Sequence, residues 1–145
     1  MIKPHAIDHI VLRTERYADL IAFYCDVLGC TVEREVADYG LMQLRAGNAL
    51  IDIVDVNGKL GERGGPAPGA VDPGGRNVDH FCLQIEPFNE NELKAYLDSK
   101  GVDCGDFHDR YGAQGKGRSL YIEDPAGNTV ELKGFQNQQV RSHGV

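Results

Sequence analysis

Apolar residues follow two different periods along the first half of the chain, and each change of period marks a new element. Ile7–Arg13 is short, apolar and β-branched, which predicts a strand. From Glu15 to Leu28 the apolar residues recur every three or four positions, which predicts an amphipathic helix that ends before Gly29. Shorter apolar segments separated by turn residues then predict three strands: Thr31–Val36, Leu41–Arg45 and Ala49–Val56.

The second half repeats this order of elements. Val78–Ile85 matches the first strand at Asp, His and Leu, with His80 standing where His9 stood. Asn89 and Glu92 have the spacing of a capping box, which predicts a second helix that ends near Gly101. Further strands are predicted at Val102–Cys104, Arg118–Ile122 and Thr129–Lys133. Each half is therefore predicted as strand, helix and three strands, a repeat that makes two similar curved sheets.

Two glycine-rich segments interrupt the pattern. Residues 57–77 contain seven glycines and three prolines, so we expect a long connection between the two halves. Residues 112–119 lack the spacing of a phosphate-binding loop and precede a strand instead of a helix. We therefore predict a flexible loop there.

The composition narrows the class of partner. The chain has 145 residues, of which 41% are hydrophobic, and a net charge of −7. This charge argues against binding to nucleic acid or to an anionic membrane, because phosphate contacts need clustered Lys and Arg. The sequence has no apolar run of roughly 20 residues and no signal-peptide pattern. We expect a cytoplasmic protein that binds a small molecule.

The candidate chemistry lies at positions related by the repeat. Side chains alternate along a strand, so His9 faces away from the apolar pair Ile10 and Leu12, and His80 takes the same place in its strand. The last strand of each half adds a carboxylate, Asp52 or Glu131, although these two align less closely because the preceding turns differ by one residue. Imidazole and carboxylate groups suit Zn, Ni, Mn, Fe or Co. The two histidines, with one or both of these carboxylates, therefore predict a divalent metal site.

Cysteine is less informative than histidine. The four cysteines are Cys25, Cys30, Cys82 and Cys104, with no C-x-x-C spacing, and we expect reduced thiols. Cys82 follows His80 by two positions on the same face of its strand, so it is a candidate to line the pocket.

Several of these segments resemble the vicinal oxygen chelate superfamily, which includes glyoxalase I, extradiol dioxygenases, fosfomycin-resistance thiol transferases and antibiotic-binding proteins. The resemblance covers roughly residues 6–134. It is carried by Ile7–Leu12, Phe23–Gly29, Val78–His80 and, most specifically, the strand–turn–strand Leu120–Leu132.

The resemblance implies a single domain over residues 1–145 of the α+β class. Two βαβββ modules, about 6–56 and 78–134, would form a cupped, barrel-like mixed sheet, with 57–77 as the connection and 135–145 as a tail. A homodimer is also implied.

The resemblance also assigns roles to residues. His9, Asp52, His80 and Glu131 would hold the metal, and Glu131 would act as the catalytic base on a carbon acid whose enediolate or similar oxyanion the metal stabilises. Similarity to the cationic, hydroxyl-rich pocket of the thiol transferases would place Arg118 and Tyr121 in contact with the substrate, and alternation along its strand adds Cys82.

The implied activity is that of a metal-dependent glyoxalase-I-like lyase or isomerase. A fosfomycin-type thiol transferase, a ring-cleaving dioxygenase and a non-catalytic binding protein remain alternatives. The substrate and the identity of the metal stay open.

Overall fold

The structure of the chain is a computed structural model that describes residues 1–66 and 76–137. In the first half, helix α1 (Tyr17–Ala22) continues as a π-helical turn (Phe23–Val27), and the strands are β1 (His9–Thr14), β2 (Thr31–Val36), β3 (Leu41–Ala46) and β4 (Ala49–Asp55). In the second half, helix α2 spans Glu90–Ser99, and the strands are β5 (Phe81–Ile85), β6 (His108–Gly112), β7 (Gly115–Glu123) and β8 (Thr129–Gly134). Single 3-10 turns lie at Ala37–Tyr39 and Glu62–Gly64.

The strands form two separate four-stranded mixed sheets, in the orders β1-β4-β3-β2 and β5-β8-β7-β6. In each sheet the first strand runs parallel to the last strand of its half, and the other pairs are antiparallel. The α+β class and the βαβββ repeat are confirmed. The predicted cupped sheet takes the form of two four-stranded sheets, neither of which closes on itself.

The described chain divides into two compact units. The first contains the residues up to Asn77 together with Asp124–Asn128, and the second contains Val78–Glu123 and the residues from Thr129 onward. Each has its own apolar interior, because one face of each sheet and one face of its helix carry the apolar side chains. Fully buried side chains include Leu12, Leu20, Leu44 and Ile53 in the first unit and Leu97, Leu120, Leu132 and Val130 in the second.

The turn Asp124–Asn128 is held by one carboxylate. Asp124 Oδ1 accepts hydrogen bonds from the backbone N–H groups of Ala126 and Asn128, both at 2.9 Å. Its Oδ2 accepts from Asn128 Nδ2 and from the hydroxyl of Tyr24, both at 2.7 Å. The fully buried Tyr24 thereby links the π-helical turn Phe23–Val27 to this turn within the first unit.

The predicted edge of the second sheet was wrong in two places. Val102–Cys104 is not a strand, and Cys104 makes only an isolated bridge to Ile122. The edge strand is β6, and it forms a hairpin with β7 across most of the segment that we predicted to be a flexible loop. Polar and glycine residues fill this hairpin, so it lacks the apolar alternation by which strands are recognised. Capping of α2 is confirmed, since Asn89 Oδ1 accepts from the backbone N–H of Glu92 at 3.0 Å.

Parts of the predicted connection and tail, residues 67–75 and 138–145, lie outside the described residues. No helix in the described chain is long and apolar enough to cross a membrane.

Candidate metal and substrate site

Each of the two predicted histidines is bound by the aspartate that precedes it. His9 Nδ1 lies 2.6 Å from Asp8 Oδ1, and His80 Nδ1 lies 2.6 Å from Asp79 Oδ2. An aspartate that accepts the Nδ1 proton orients the ring and leaves Nε2 as the ligand atom, as in carboxylate–histidine–metal arrangements. The hydrogen bond to Asp8, with the negative charge of Asp52 adding to it, raises the pKa of His9.

Sequence reasoning did not assign a role to these two aspartates. The signal was present, because the dipeptide Asp-His occurs once at the start of each half.

Strand pairing makes Asp52 and Glu131 equivalent positions. In the first sheet Asp52 is the register partner of Val11, which follows His9 by two residues. In the second sheet Glu131 is the register partner of Cys82, which follows His80 by two residues. The turns that precede the two strands differ in length by one residue, which made the sequence alignment uncertain. This difference does not change the register in which the strands pair.

The surroundings of Asp52 suit a metal ligand. Its side chain is buried, and Oδ2 accepts a hydrogen bond from Gln43 Nε2 at 3.0 Å. Its other oxygen, Oδ1, is buried and has no hydrogen-bond partner in the described part of the chain. A buried carboxylate oxygen without a partner is unfavourable, and a bound cation would satisfy it.

Glu131 is buried as well, and its two oxygens have different neighbours. Oε1 accepts a hydrogen bond of 2.6 Å from the hydroxyl of Ser119, whereas Oε2 lies 3.5 Å from His80 Nε2. Two atoms that bind one divalent ion at ordinary distances lie roughly 3–3.4 Å apart. A small shift would therefore let Oε2 and Nε2 share one ion.

The candidate ligands occur as two pairs, His9 with Asp52 in the first unit and His80 with Glu131 in the second. Over residues 1–66 and 76–137 the structure assembles no group of three or more His, Cys, Asp or Glu side chains suited to a metal.

The three predicted substrate contacts have different positions in the second unit. Tyr121 pairs in register with Glu131, and its ring makes an edge contact with the His80 ring at 5.4 Å between centroids. Cys82 lies beside Glu131 in register; loss of solvation around the thiol, with the negative charge of Glu131, raises the pKa of Cys82 to about 12. Its sulfur is therefore a neutral thiol at neutral pH.

Arg118 is not brought together with these residues. Alternation along β7 places it on the face opposite Ser119 and Tyr121. Its guanidinium binds Glu90 of α2 at 2.8 Å and Asp109 at 3.6 Å.

A different arginine and a lysine share the face of Tyr121 instead. The guanidinium carbon of Arg110 lies 4.8 Å from the centroid of the Tyr121 ring. Lys133, two residues after Glu131, is buried, and its Nζ donates to the backbone carbonyls of Arg110 and, at 3.1 Å, Gly115. Arg110 went unpredicted because no strand was predicted at His108–Gly112, whereas Lys133 could have been found by alternation from Glu131.

A comparison with known protein families gives a match over most of the chain. A family model described as the Glyoxalase/Bleomycin resistance protein/Dioxygenase superfamily matches residues 6–132. The chain belongs to this superfamily.

Solved structures share this fold over most of the chain. A lactoylglutathione lyase from Agrobacterium tumefaciens is 25% identical, with a TM-score of 0.64 over 90% of this chain and 94% of that one. Virulence protein STM3117 from Salmonella typhimurium is 23% identical, with a TM-score of 0.74 over 93% and 100% of the two chains. An integron cassette protein from the mobile metagenome of V. cholerae is 24% identical, with a TM-score of 0.71 over 94% and 99%.

A comparison with curated proteins gives no match. Members of the superfamily commonly bind a divalent metal, and they generally bind small molecules.

Proposed function

We propose that this protein is a metal-dependent lyase or isomerase of the glyoxalase I type that acts on a small substrate with chelating oxygens. His9, Asp52, His80 and Glu131 would hold the ion, and Glu131 would serve as the base. The proposal includes a homodimer in the cytoplasm.

One observation carries this proposal: the same set of groups recurs at the same register in both sheets. In each set an aspartate is hydrogen-bonded to Nδ1 of a histidine. A buried carboxylate on the neighbouring strand pairs in register with the residue that follows this histidine by two positions. A structural role would explain one such set more readily than two. The unpartnered Oδ1 of Asp52 supports the same view, because it is a buried negative charge without a cation.

The residues around Glu131 define how it would work. Ser119 occupies Oε1, so Oε2 is the oxygen that would hold the ion in the resting protein and, once released from it, would receive a proton from a carbon next to a carbonyl. The Tyr121 ring lies perpendicular to the His80 ring, and this contact would restrict rotation of the imidazole and keep Nε2 near Oε2. A bound divalent ion would supply Lewis-acid polarisation of the substrate oxygen. Burial of Glu131 keeps water away from the proton that it receives.

The test is the metal content of the purified chain measured by elemental analysis, for the wild type and for His80→Ala, Glu131→Ala and Asp52→Asn. We expect near-stoichiometric Ni, Zn, Mn, Fe or Co in the wild type and a loss of most of it in each variant. His5→Ala is the matched control, because His5 is exposed and has no equivalent in the second half.

Metal that survives in His80→Ala and Glu131→Ala would contradict the proposed ligands. An absence of metal after reconstitution with each ion would remove the enzyme proposal. The protein would then be a small-molecule binding protein whose histidines donate hydrogen bonds.

A further inference from the structure

Two partly or fully buried cations of the second unit, Arg110 and Lys133, lack an acidic partner among the described residues. The guanidinium of Arg110 forms no hydrogen bond or ion pair there, and its Nε is buried without a partner. Lys133 is 4% exposed, and its Nζ contacts only carbonyl oxygens, which leaves its charge without a counter-ion. Arg118 of the same hairpin, in contrast, forms an ion pair with Glu90 of α2. An exposed lysine such as Lys116 is solvated instead, whereas a buried cation without a counter-ion is unfavourable, so Arg110 and Lys133 are candidates to bind an anion.

The two cations lie on the face of the sheet that carries the candidate base. Arg110 pairs with Gly117 in register, and Lys133 pairs with Ser119, which places both on the face of Tyr121 and Glu131. The Arg110 guanidinium and the His80 ring both lie within 5.4 Å of the Tyr121 ring centroid. An anion held by Arg110 would therefore lie about one aromatic ring away from His80.

Glycines make room for the lysine on this face. A Cβ atom at Gly112 would meet Lys133 Nζ at 3.4 Å, and one at Gly117 would meet Lys133 Cε at 3.3 Å. The lysine stem therefore runs across the bare backbone of the hairpin, and its ammonium group ends beside the backbone of Arg110. Because Nζ has three protons and two carbonyl partners, one proton remains for a further acceptor.

We propose that Arg110 and Lys133 form a subsite for an oxyanion group of the substrate, either a carboxylate or a phosphate-type group. The planar guanidinium, fixed against Tyr121, presents paired N–H donors that match two oxygens of such a group. The substrate class is then an anionic small molecule whose charged group lies on the Arg110 side of Tyr121 and whose reacting carbon lies near Glu131. This assignment rests on the proposed function, because the reacting end of the substrate is defined by His80 and Glu131.

The test is a titration of the full chain with inorganic phosphate, and separately with acetate, at constant ionic strength set by chloride. The arginine Nε–H signals in a nitrogen–proton correlation spectrum give a direct readout for Arg110, and the titration gives the affinity. We expect saturable binding, with Arg110→Ala reducing the affinity about tenfold or more. The affinity of Arg110→Lys should lie between those of the wild type and Arg110→Ala, because lysine keeps the charge and loses the paired donors.

Three further variants separate the possible sites. Arg118→Ala removes an arginine from the opposite face of the same hairpin, and Arg45→Ala removes one that is paired with Glu33 in the first unit. Both should keep the wild-type affinity. His80→Ala should lose metal and keep phosphate binding, because the oxyanion is held by Arg110.

Absence of saturable binding of either anion would overturn the subsite. Equal losses in Arg110→Ala and Arg118→Ala would also overturn it, since they would indicate a general charge effect. A loss in His80→Ala without a loss in Arg110→Ala would place the anion on the metal, which refutes the subsite and leaves the proposed function intact. Conversely, binding that depends on Arg110 in a chain that never takes up metal would retain the subsite and refute the proposed function.

Discussion

Replacing Tyr24 with phenylalanine tests whether the Asp124 turn is stabilised by the buried tyrosine. The substitution removes the hydroxyl that donates to Asp124 Oδ2 at 2.7 Å and keeps the aromatic ring in its packing against Phe23. A hydrogen bond to a charged group contributes about 1.5–3 kcal/mol to stability. Asp124 keeps three other donors, so its carboxylate is not left without partners. We therefore expect a loss of about 2 kcal/mol in the free energy of unfolding.

The assay is equilibrium unfolding in urea, followed by circular dichroism. The midpoint should fall with an unchanged slope, and the thermal midpoint should fall by about 6 °C for a chain of this size. Tyr17→Phe is the matched control, because the Tyr17 hydroxyl is buried on the same helix and has no hydrogen-bond partner in the described structure. That variant should change stability by less than about 0.5 kcal/mol. Equal effects of the two substitutions would refute the assignment of the stability to the Asp124 bond.

The pH dependence provides a second check. Burial, with the negative charge of Asp124, raises the pKa of Tyr24 well above its ordinary value of 10.0. Between pH 10.0 and the raised value, the unfolded chain therefore loses this proton and the folded chain keeps it, so the wild type loses stability as the pH rises. The contribution is fully present below pH 10.0. The stability difference between the wild type and Tyr24→Phe should shrink above pH 10, and a constant difference would contradict this reasoning.

Three other substitutions have expected outcomes. Asp52→Asn should leave metal-free protein as stable as the wild type, or about 1 kcal/mol more stable, because it removes a buried charge with an unpartnered oxygen, and thermal unfolding after chelation measures this. Gly61→Ala should cost about 2 kcal/mol or more, since its Cβ would lie 2.1 Å from the Asp55 carbonyl oxygen, and a urea midpoint near that of wild type would disprove the clash. Asn89→Ala should cost about 1 kcal/mol through loss of the cap on Glu92 N–H, whereas Asn89→Ser should restore most of it in the same assay.

The repeat could be predicted because the same order of apolar segments and turn residues recurs in both halves. In β8, for example, the apolar Val130 and Leu132 alternate with polar residues, and this alternation is visible in the sequence. The equivalence of Asp52 and Glu131 could not be settled in this way. It depends on which residues pair across the parallel strands, and a turn of different length changes the count along the chain without changing that pairing.

The edge strand β6 could not be predicted for a related reason. Its sequence is His-Asp-Arg-Tyr-Gly, and most of its side chains are exposed, so burial imposes no alternation on it. Backbone pairing with β7 and the positive φ of Gly115 hold the hairpin instead. Such a hairpin resembles a polar loop in sequence, which explains the wrong prediction for residues 112–119.

Arg118 and Arg110 show what the alternation of side chains along a strand can and cannot predict. Arg118 precedes Tyr121 by three residues in one strand, so the two side chains must point to opposite faces, and only one of them can share the face of Glu131. Alternation therefore argued against Arg118 as soon as Tyr121 was accepted. It could not identify Arg110, because that step requires the number of residues in the β6–β7 turn, and the turn is known only from the pairing of Gly112 with Gly115. A change in that turn by one residue would move Arg110 to the face of α2, so that Arg110 would no longer share a face with Lys133 and Glu131.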